Sequence, residues 1–208
     1  MNSYWLYALG FVGQACFGAR SIVQWFLSER AGKVVSPSLF WIFSVIGSTL
    51  FLVYGMFRQD AVIIVGQSIS FYIYIRNLQL KKVWQNIPVL LQYLILLWPP
   101  IVLGGWFIFR AADYAVIFSW KSFSDIFFIT GSIGQLLLNL RYVYQWYQSE
   151  KIHESVLPLG FWLISLAASI MVVVYGWYRN DPVLLTAQAL GIIVYVRNIY
   201  FAIRNPLP

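Results

Sequence analysis

Residues 13–29 read GQACFGARSIVQWFLSE, and residues 134–150 read GQLLLNLRYVYQWYQSE. The two stretches share Gly-Gln, Arg, Gln-Trp and Ser-Glu at a constant offset of 121 residues. Both lie in otherwise apolar sequence, where burying an arginine with two glutamines is unfavourable unless these groups are hydrogen-bonded. A polar pattern that returns at fixed spacing in such surroundings indicates a duplicated unit whose polar groups are needed.

The composition is typical of a membrane protein. The chain has 208 residues, of which 61% are hydrophobic and only 10% are charged, whereas about a quarter of the residues of a soluble domain are charged. Apolar runs long enough for a helix of roughly 20 residues to cross a bilayer recur along the whole chain. We therefore predict an all-α polytopic membrane protein. The single cysteine, Cys16, excludes a disulfide within the chain.

The apolar runs and their breaks predict seven transmembrane helices. Residues 10–80 align without a gap with residues 131–201, and each copy holds three predicted spans, with one separate span between the copies. Because three plus one crossings return the second copy to the orientation of the first, we expect parallel repeats in a 3+1+3 arrangement. The predicted domains are a first three-helix repeat at 1–82, a linker helix with an outer interfacial segment at 83–125, and a second repeat at 126–208. The predicted spans are residues 4–26, 37–57, 61–80, 87–109, 126–147, 158–178 and 182–203.

The distribution of basic residues predicts the orientation of the chain. Eight lysines and arginines fall on one side of the predicted membrane and four on the other, and basic residues favour the cytoplasmic side. The N-terminus is therefore expected outside and the C-terminus in the cytoplasm. These loops account for the net charge of +7, so nucleic acid is not an expected partner. The eight are Arg30, Lys33, Arg76, Lys81, Lys82, Lys151, Arg197 and Arg204, against Arg58, Arg110, Lys121 and Arg179.

The first span of each copy carries the candidate anion site. Arg20 and Gln24 project together because residues four apart share a helix face, while Gln14 lies about 120° around the helix and deeper. The arginines of the two copies are expected to converge and to hold an anion, and phosphate matches the geometry and charge of guanidinium. Alternatively, Arg20 pairs with Glu29 or with backbone carbonyls and only fastens the helices together. The same three positions in the second copy are Gln135, Arg141 and Gln145.

The third span of each copy carries a polar stripe. Gln67 and Tyr74 are seven residues apart, which keeps them nearly on one helix face, and Asn77 lies close to that face. Arg76 lies on the opposite side, where it either extends toward lipid headgroups or joins the site. The second copy has the same candidates at Gln188, Tyr195, Asn198 and Arg197.

The second span of each copy combines a tryptophan with small residues on one helix face. Small residues at such spacing predict close helix packing. The tryptophans Trp41 and Trp162 are either anchors at the membrane interface or ring-stacking surfaces, and we include both among the candidate binding residues. The small residues are Ser44, Ser48 and Gly55 in the first copy and Ser165, Ser169 and Gly176 in the second.

The sequence offers little that resembles catalytic machinery. It has no Cys/His metal spacing, no glycine-rich phosphate loop and no nucleophile elbow. The lone histidine, His153, lies in a loop between Lys151 and Glu154 without a counterpart in the first copy, and we expect it to be solvated. We therefore predict no catalytic residue, no metal, no cofactor and no enzymatic activity.

A long motif runs through both copies. In the first copy it comprises Gly13, Gln14, Arg20, Gln24, Trp25, Ser28, Glu29, Pro37, Phe40, Trp41, Tyr54, Arg58, Asp60, Gly66, Gln67, Tyr74, Arg76 and Asn77. This motif resembles the lipid A biosynthesis N-terminal domain family, here in two tandem copies. The resemblance implies a small bacterial domain that is sometimes fused to lipid-A-disaccharide synthase and is related to the SWEET and PQ-loop transporters. It also implies a location in the bacterial inner membrane with a periplasmic N-terminus.

The arginines and the resemblance together predict a transporter or flippase that moves a polyprenyl-phosphate-linked sugar across the inner membrane for modification of lipid A or another envelope glycan. The arginines would hold the phosphate, and the glutamines and tyrosines would hold the sugar hydroxyls. The alternatives are a SWEET-like facilitator of a small soluble sugar and a non-transporting scaffold for a membrane glycosyltransferase. The expected partners are membrane lipids, a lipid-linked sugar phosphate and a glycosyltransferase, and no oligomeric state is predicted.

Overall fold

The fold is all-helical over the part of the chain that the computed structural model describes, which is residues 3–58, 61–109, 126–178, 180 and 182–206. This confirms the all-α prediction. The end of the predicted linker that was expected at the outer interface, residues 110–125, lies outside the described residues, as do the motif residue Asp60 and its counterpart 121 residues later, Asp181. The described helices are α1 (Ser3–Ala31), α2 (Ser38–Arg58), α3 (Ala61–Leu80), α4 (Val89–Phe109), α5 (Ile126–Ile152), α6 (Leu159–Tyr178) and α7 (Pro182–Arg204), with a 3-10 turn at Trp84–Asn86.

The helices α1 and α5 continue past the ends of the predicted spans. Their last turns are polar, yet side chains four residues apart hydrogen-bond along each helix: the Trp25 indole donates to Glu29 at 3.0 Å, and the Trp146 indole donates to Glu150 at 2.8 Å. Such pairs stabilise a helix outside an apolar setting. The predicted spans ended early because they followed hydrophobicity, whereas the helices follow hydrogen bonding.

Both of these helices end in the same left-handed backbone turn. Gly32, directly after α1, has φ +64°, and His153, directly after α5, has φ +58°. Glycine adopts this conformation without steric strain, whereas a side chain makes it unfavourable. The exposed His153 thus occupies a helix-ending position that the first copy fills with glycine.

Contacts within the folded chain divide it into two compact units. The first unit comprises Met1–Arg20 and Ser38–Ser119, and the second comprises Ser21–Pro37 and Trp120–Pro208. The helix α1 therefore contributes its N-terminal part to the first unit and its C-terminal part to the second. The predicted domains follow the sequence repeat, which records duplication and not the contacts of the folded chain, and they stay a prediction.

Each unit buries the face of its middle helix that the sequence marked with a tryptophan and small residues. In the first unit α2 packs against α3, and in the second α6 packs against α5 and α7. A Cβ added to Gly134 of α5 would lie 2.9 Å from the backbone oxygen of Ala168 in α6. The backbones of α5 and α6 thus approach closely, as predicted for small residues on this face. The buried residues common to both faces are Phe40, Trp41, Ser44, Ser48 and Gly55 in α2 and Phe161, Trp162, Ser165, Ser169 and Gly176 in α6.

The helix α4 continues through two prolines. Proline lacks an N–H, so Pro100 cannot donate to the carbonyl of Leu96, four residues earlier. The Tyr72 hydroxyl of α3 donates to that carbonyl at 3.0 Å instead. A side chain of the first unit therefore satisfies a backbone group that the proline leaves without its helical donor.

Two of the described helices, α2 and α6, are long and apolar enough to cross a membrane, judged by length and composition alone. Together with the composition of the chain, they are consistent with membrane association. The arrangement of seven membrane-spanning helices stays a prediction.

Candidate functional site: two buried arginine clusters

The first arginine cluster joins three helices of the first unit. Arg20 of α1 is only 7% exposed, and its Nη1 donates to Ser44 Oγ of α2 at 2.8 Å and to Tyr74 Oη of α3 at 3.3 Å. The guanidinium carbon lies 4.3 Å from the ring centroid of Phe17 and 5.3 Å from that of Phe40. Aromatic faces at these distances attract a cation. Hydroxyls and rings thus hold this arginine in one orientation.

The serine of this cluster is oriented by its own helix. Ser44 Oγ donates its hydrogen to the carbonyl oxygen of Phe40 at 2.6 Å, so its lone pairs are directed to accept from Arg20. Trp41, fully buried, packs with its ring centroid 6.0 Å from that of Tyr74. The tryptophan supports the tyrosine that contacts the arginine.

The second unit contains the same cluster. Arg141 of α5 is 7% exposed, and its Nη1 donates to Ser165 Oγ at 2.8 Å and to Tyr195 Oη at 3.2 Å. Its Nη2 also donates to the hydroxyl of Tyr142 at 3.4 Å. The ring of Phe161 lies 5.1 Å from the guanidinium carbon. The two copies therefore bury the same Arg–Ser–Tyr contact set on the same three helices.

These clusters revise several sequence-based roles. Ser44 and Ser165 were expected only to permit close packing, yet they are the nearest hydroxyl partners of the arginines. Tyr74 and Tyr195 were expected to contact a ligand, and each contacts the arginine of its own copy. The sequence did indicate that the serines accompany the arginines, because each serine lies 24 residues after its arginine in both copies. We nevertheless interpreted them as packing residues, since serine on a buried helix face usually has that role.

Gln24 and Asn198 bond each other within the second unit. Both are fully buried. The Gln24 amide nitrogen donates to Asn198 Oδ1 at 2.7 Å, and the Asn198 amide nitrogen donates back to Gln24 Oε1 at 3.1 Å. Asn198 also donates to the carbonyl of Val194 at 2.8 Å. Two amides predicted to bind substrate thus fasten the C-terminal part of α1 to α7.

A glutamine and a serine also fix the loop that follows each first helix. In the second copy the Gln145 amide donates to Ser149 Oγ at 2.7 Å and to the Val156 carbonyl at 2.8 Å. The backbone N–H of Val156 in turn donates to Ser149 Oγ at 3.1 Å. The first copy repeats these bonds with Gln24, Ser28 and Val35.

Among the described residues, Arg197 does not contact either buried arginine but bonds Glu29. It forms a two-point ion pair with Glu29, in which Nη2 lies 2.8 Å from Oε2. Glu29 lies beyond the predicted end of the first span, and the hydrogen bond from Arg197 lowers the pKa of its carboxyl below the ordinary value of 4.5. Glu29, the suggested partner of Arg20, thus holds Arg197. In the first copy Arg76 Nη1 donates to Gln79 at 3.2 Å, and Asn77 is buried and donates to the Ile73 carbonyl at 2.9 Å.

The remaining glutamine candidates fall into two groups. Gln14 and Gln135 are exposed on the outer surfaces of their helices, consistent with their position far around the helix from the arginines. Gln188 Oε1 accepts a hydrogen bond from Ser169 Oγ at 2.7 Å. Gln67 Oε1 is buried and has no hydrogen bond within the described residues.

Both tryptophan candidates are core residues and not interface anchors. Trp41 is 0% exposed and Trp162 is 2% exposed. The ring centroid of Trp162 lies 6.0 Å from that of Tyr195, and its indole Nε1 is buried without a hydrogen bond to any described residue. A buried N–H donor of this kind favours a nearby oxygen acceptor.

In the part of the chain that the structure describes, no group of three or more His, Cys, Asp or Glu side chains could hold a metal ion.

Curated relatives of this chain carry the name of an enzyme. The chain is 28% identical to lipid-A-disaccharide synthase of Chlamydia felis (strain Fe/C-56), over 93% of this chain and 32% of that protein. It is 28% identical to the protein of the same name from Chlamydia pneumoniae, over 94% of this chain and 33% of that protein. It is 26% identical to that of Chlamydia muridarum (strain MoPn / Nigg), over 98% of this chain and 35% of that protein. The chain thus spans about a third of the length of the relatives it matches. No solved structure matches the chain.

These names correct the functional prediction. The predicted transporter or flippase for a polyprenyl-phosphate-linked sugar is wrong, as are the SWEET-like facilitator and the prediction that the protein is not an enzyme, because the relatives are named for a synthase. The scaffold for a membrane glycosyltransferase stays a prediction. The error has a physical origin. Buried arginines and amides in apolar helices are equally compatible with carrying a polar solute and with holding one for a reaction.

Each copy of the duplicated pattern also matches the sequence model of one protein family. This family is described as Lipid A Biosynthesis N-terminal domain, and the matches cover residues 9–79 and residues 130–200. The two matches together cover more than half of the chain. The chain therefore belongs to the Lipid A Biosynthesis N-terminal domain family and contains two tandem copies of its domain.

Proposed function

We propose that the chain takes part in the enzymatic synthesis of lipid-A-disaccharide, in which it binds a lipid-bearing sugar through acceptor oxygens such as those of a phosphate. The observation that carries this proposal is the Arg–Ser–Tyr cluster, which recurs in both copies of a domain whose family is named for lipid A biosynthesis. The reaction in this proposal is inferred from the names of the relatives, and the binding chemistry is inferred from the cluster.

The clusters are suited to recognising oxygen acceptors. Guanidinium stays charged at any physiological pH and presents donors in a planar fork that fits phosphate and carboxylate. Ser44 and Tyr74 both accept from the same nitrogen, Nη1, and so hold Arg20 in one orientation. A group held in one orientation loses little conformational entropy when it binds a ligand. In the second unit, the buried indole N–H of Trp162 provides a further donor for the same class of ligand.

The membrane placement belongs to the same proposal. A lipid-bearing sugar resides in a bilayer, and the chain is 61% hydrophobic. We propose that the seven helices cross the bacterial inner membrane in a 3+1+3 arrangement, with a periplasmic N-terminus and a cytoplasmic C-terminus. A single cysteine placed at Asn205 of a Cys16→Ala chain should then react with a membrane-impermeant thiol reagent only after the cells are opened. Equal labelling of intact cells would contradict this orientation.

The functional test compares disaccharide formation by membranes that contain different forms of the chain. Membranes with the full chain, and control membranes without it, receive radiolabelled acylated sugar precursors, and labelled lipid-A-disaccharide is measured by chromatography and mass spectrometry. We expect the chain to increase its formation. The double variant Arg20→Gln/Arg141→Gln should reduce that increase by about tenfold or more, because each substitution removes charge-assisted hydrogen bonds.

The matched control is Arg30→Gln, which changes an exposed arginine of the same helix and should leave disaccharide formation unchanged. Thermal unfolding in detergent shows whether the double variant is folded, and Arg20→Lys/Arg141→Lys keeps the charge if the glutamine variant is not. Equal disaccharide formation with the full chain, the double variant and the control membranes would contradict the proposal.

A further inference from the structure

Two equivalent glutamines, one in each copy, have different hydrogen bonds. Gln188 of α7 accepts from Ser169 Oγ of α6 at 2.7 Å. Gln67, 121 residues earlier in α3, has a buried Oε1 with no hydrogen bond among the described residues. The sequence does not distinguish the two positions, because both copies have the same glutamine and the same serine.

The serine accounts for the difference. Ser48, the counterpart of Ser169, donates its hydroxyl hydrogen to the carbonyl of Val45 in its own helix at 3.0 Å. A hydroxyl has one hydrogen to donate, so while Ser48 donates to Val45 it does not supply Gln67. The hydrogen bond between this serine and this glutamine is thus formed in the second unit and not in the first.

A buried acceptor without a donor is unfavourable, and native proteins nearly always satisfy such groups with protein, water or ligand. Gln67 as a residue is half-buried although its Oε1 is sealed from solvent. A donor from outside the protein, which must be an O–H or N–H group, can complete this site when the half-buried side chain turns its Oε1 toward the surface. A fully ionised phosphate lacks such a hydrogen, whereas a sugar hydroxyl has one.

We propose that Gln67 is a ligand-binding residue whose Oε1 accepts a hydrogen bond from a hydroxyl of the lipid-bearing sugar, and that Gln188 is a structural residue. This inference rests on the proposed function and names the part of the ligand that the first unit recognises. Gln67 and Tyr74 lie on one face of α3, about 10 Å apart along the helix axis at 1.5 Å per residue. Tyr74 contacts Arg20, so the anionic group and the sugar of one ligand have separate positions along this face.

The experiment compares Gln67→Leu with its matched counterpart Gln188→Leu in the full chain. Each variant is measured for formation of labelled lipid-A-disaccharide per folded protein and for its thermal unfolding midpoint. Gln67→Leu should reduce disaccharide formation about tenfold, the effect of one lost hydrogen bond to a ligand, and should leave the midpoint unchanged or raised. Gln188→Leu should keep disaccharide formation and lower the midpoint by roughly 2–4 °C.

The serines provide the second arm of the experiment. Ser169→Ala removes the donor to Gln188 and should lower the unfolding midpoint, whereas Ser48→Ala should change it little. Equal lowering by both serine variants would show that Ser48 satisfies Gln67 within the protein, which would overturn the inference. Full disaccharide formation by Gln67→Leu would also overturn it.

The two proposals fail in different ways. If Arg20→Gln/Arg141→Gln abolishes disaccharide formation while Gln67→Leu retains it, the role of Gln67 is wrong and the proposed function stands. If none of these variants changes disaccharide formation, the proposed function is wrong as well.

Discussion

The two copies of the domain bury the same arginine cluster but differ in the side chains around it. In the first copy Phe17 packs against Arg20, and in the second the hydroxyl of Tyr142 accepts from Arg141. The second copy forms the serine–glutamine hydrogen bond between Ser169 and Gln188, and the first copy does not form its equivalent. Duplication thus preserved the contacts that hold the arginine, while the surrounding positions diverged. The following predictions test which of these features are equivalent.

The largest effect is expected from the arginines themselves. Arg20→Gln removes at least two hydrogen bonds and Arg141→Gln at least three, and both remove several ring contacts, so each should lower the free energy of unfolding by about 2–4 kcal/mol. Denaturant unfolding in detergent measures both variants. Similar losses of unfolding free energy would show that the two clusters are equivalent in stability, and a much smaller loss for one variant would show that they are not.

A smaller loss of unfolding free energy is expected where two helices pack closely against each other. A Cβ at Gly134 would lie 2.9 Å from the backbone oxygen of Ala168, whereas a Cβ at Gly13 would meet the ring of Phe51 at 2.6 Å. Backbone cannot move aside as a ring can, so Gly134→Ala should lower the free energy of unfolding by about 1–3 kcal/mol. Gly13→Ala should change it by less than about 1 kcal/mol, because alanine also favours the helix. Equal losses in the same unfolding measurement would contradict this difference between the copies.

The helix-ending turns should respond in opposite directions. Gly32→Ala places a side chain at φ +64° and should lower the free energy of unfolding by about 1 kcal/mol, whereas His153→Gly should raise it by a similar amount. Thermal unfolding of the two variants measures both effects. A destabilised His153→Gly chain would show that the imidazole makes a compensating contact.

The smallest effect is expected at the ion pair between Glu29 and Arg197, whose side chains are 34% and 43% exposed. Because the pKa of Glu29 is lowered in the folded chain, its contribution is present above pH 4.5 and is lost as the pH falls through the lowered pKa. Glu29→Gln should therefore unfold at a lower temperature than the native chain at neutral pH. The difference should vanish in acid.

The control for this ion pair is Glu154→Gln, which changes an exposed carboxylate in the loop after α5. It should leave the unfolding temperature unchanged at neutral pH. A difference between Glu29→Gln and the native chain that persists at strongly acidic pH would contradict the role of the carboxylate charge.

Much of the fold could be predicted because helices depend on local sequence. The apolar runs predicted each described α-helix, and α3 lies at the predicted residues 61–80. The prediction failed at the ends of α1 and α5, where hydrogen bonds between side chains extend the helix beyond the apolar run. The sequence repeat also does not show that hydrogen bonds at Gln24 and Glu29 join the end of α1 to α7 in the second unit.

The candidate site was harder to predict than the helices. The sequence identified Arg20 and Arg141 as buried polar groups that require an explanation, and both are buried. It did not identify their serine partners, because the 24 residues between Arg20 and Ser44 include a turn whose geometry sets their approach. Function was predicted least well, since transport and synthesis place similar demands on buried polar side chains.

By itself the sequence determined the duplication, the helices and the identity of the buried polar residues, because periodicity and composition are local properties. Only the tertiary structure decided which of these polar groups bond each other. Gln67 and Gln188 occupy identical positions in the two copies, yet Ser169 donates to one while Ser48 donates to its own helix. The direction of a hydroxyl depends on the rotamer and on the approach of the neighbouring helix, and neither is encoded by residue type and spacing alone.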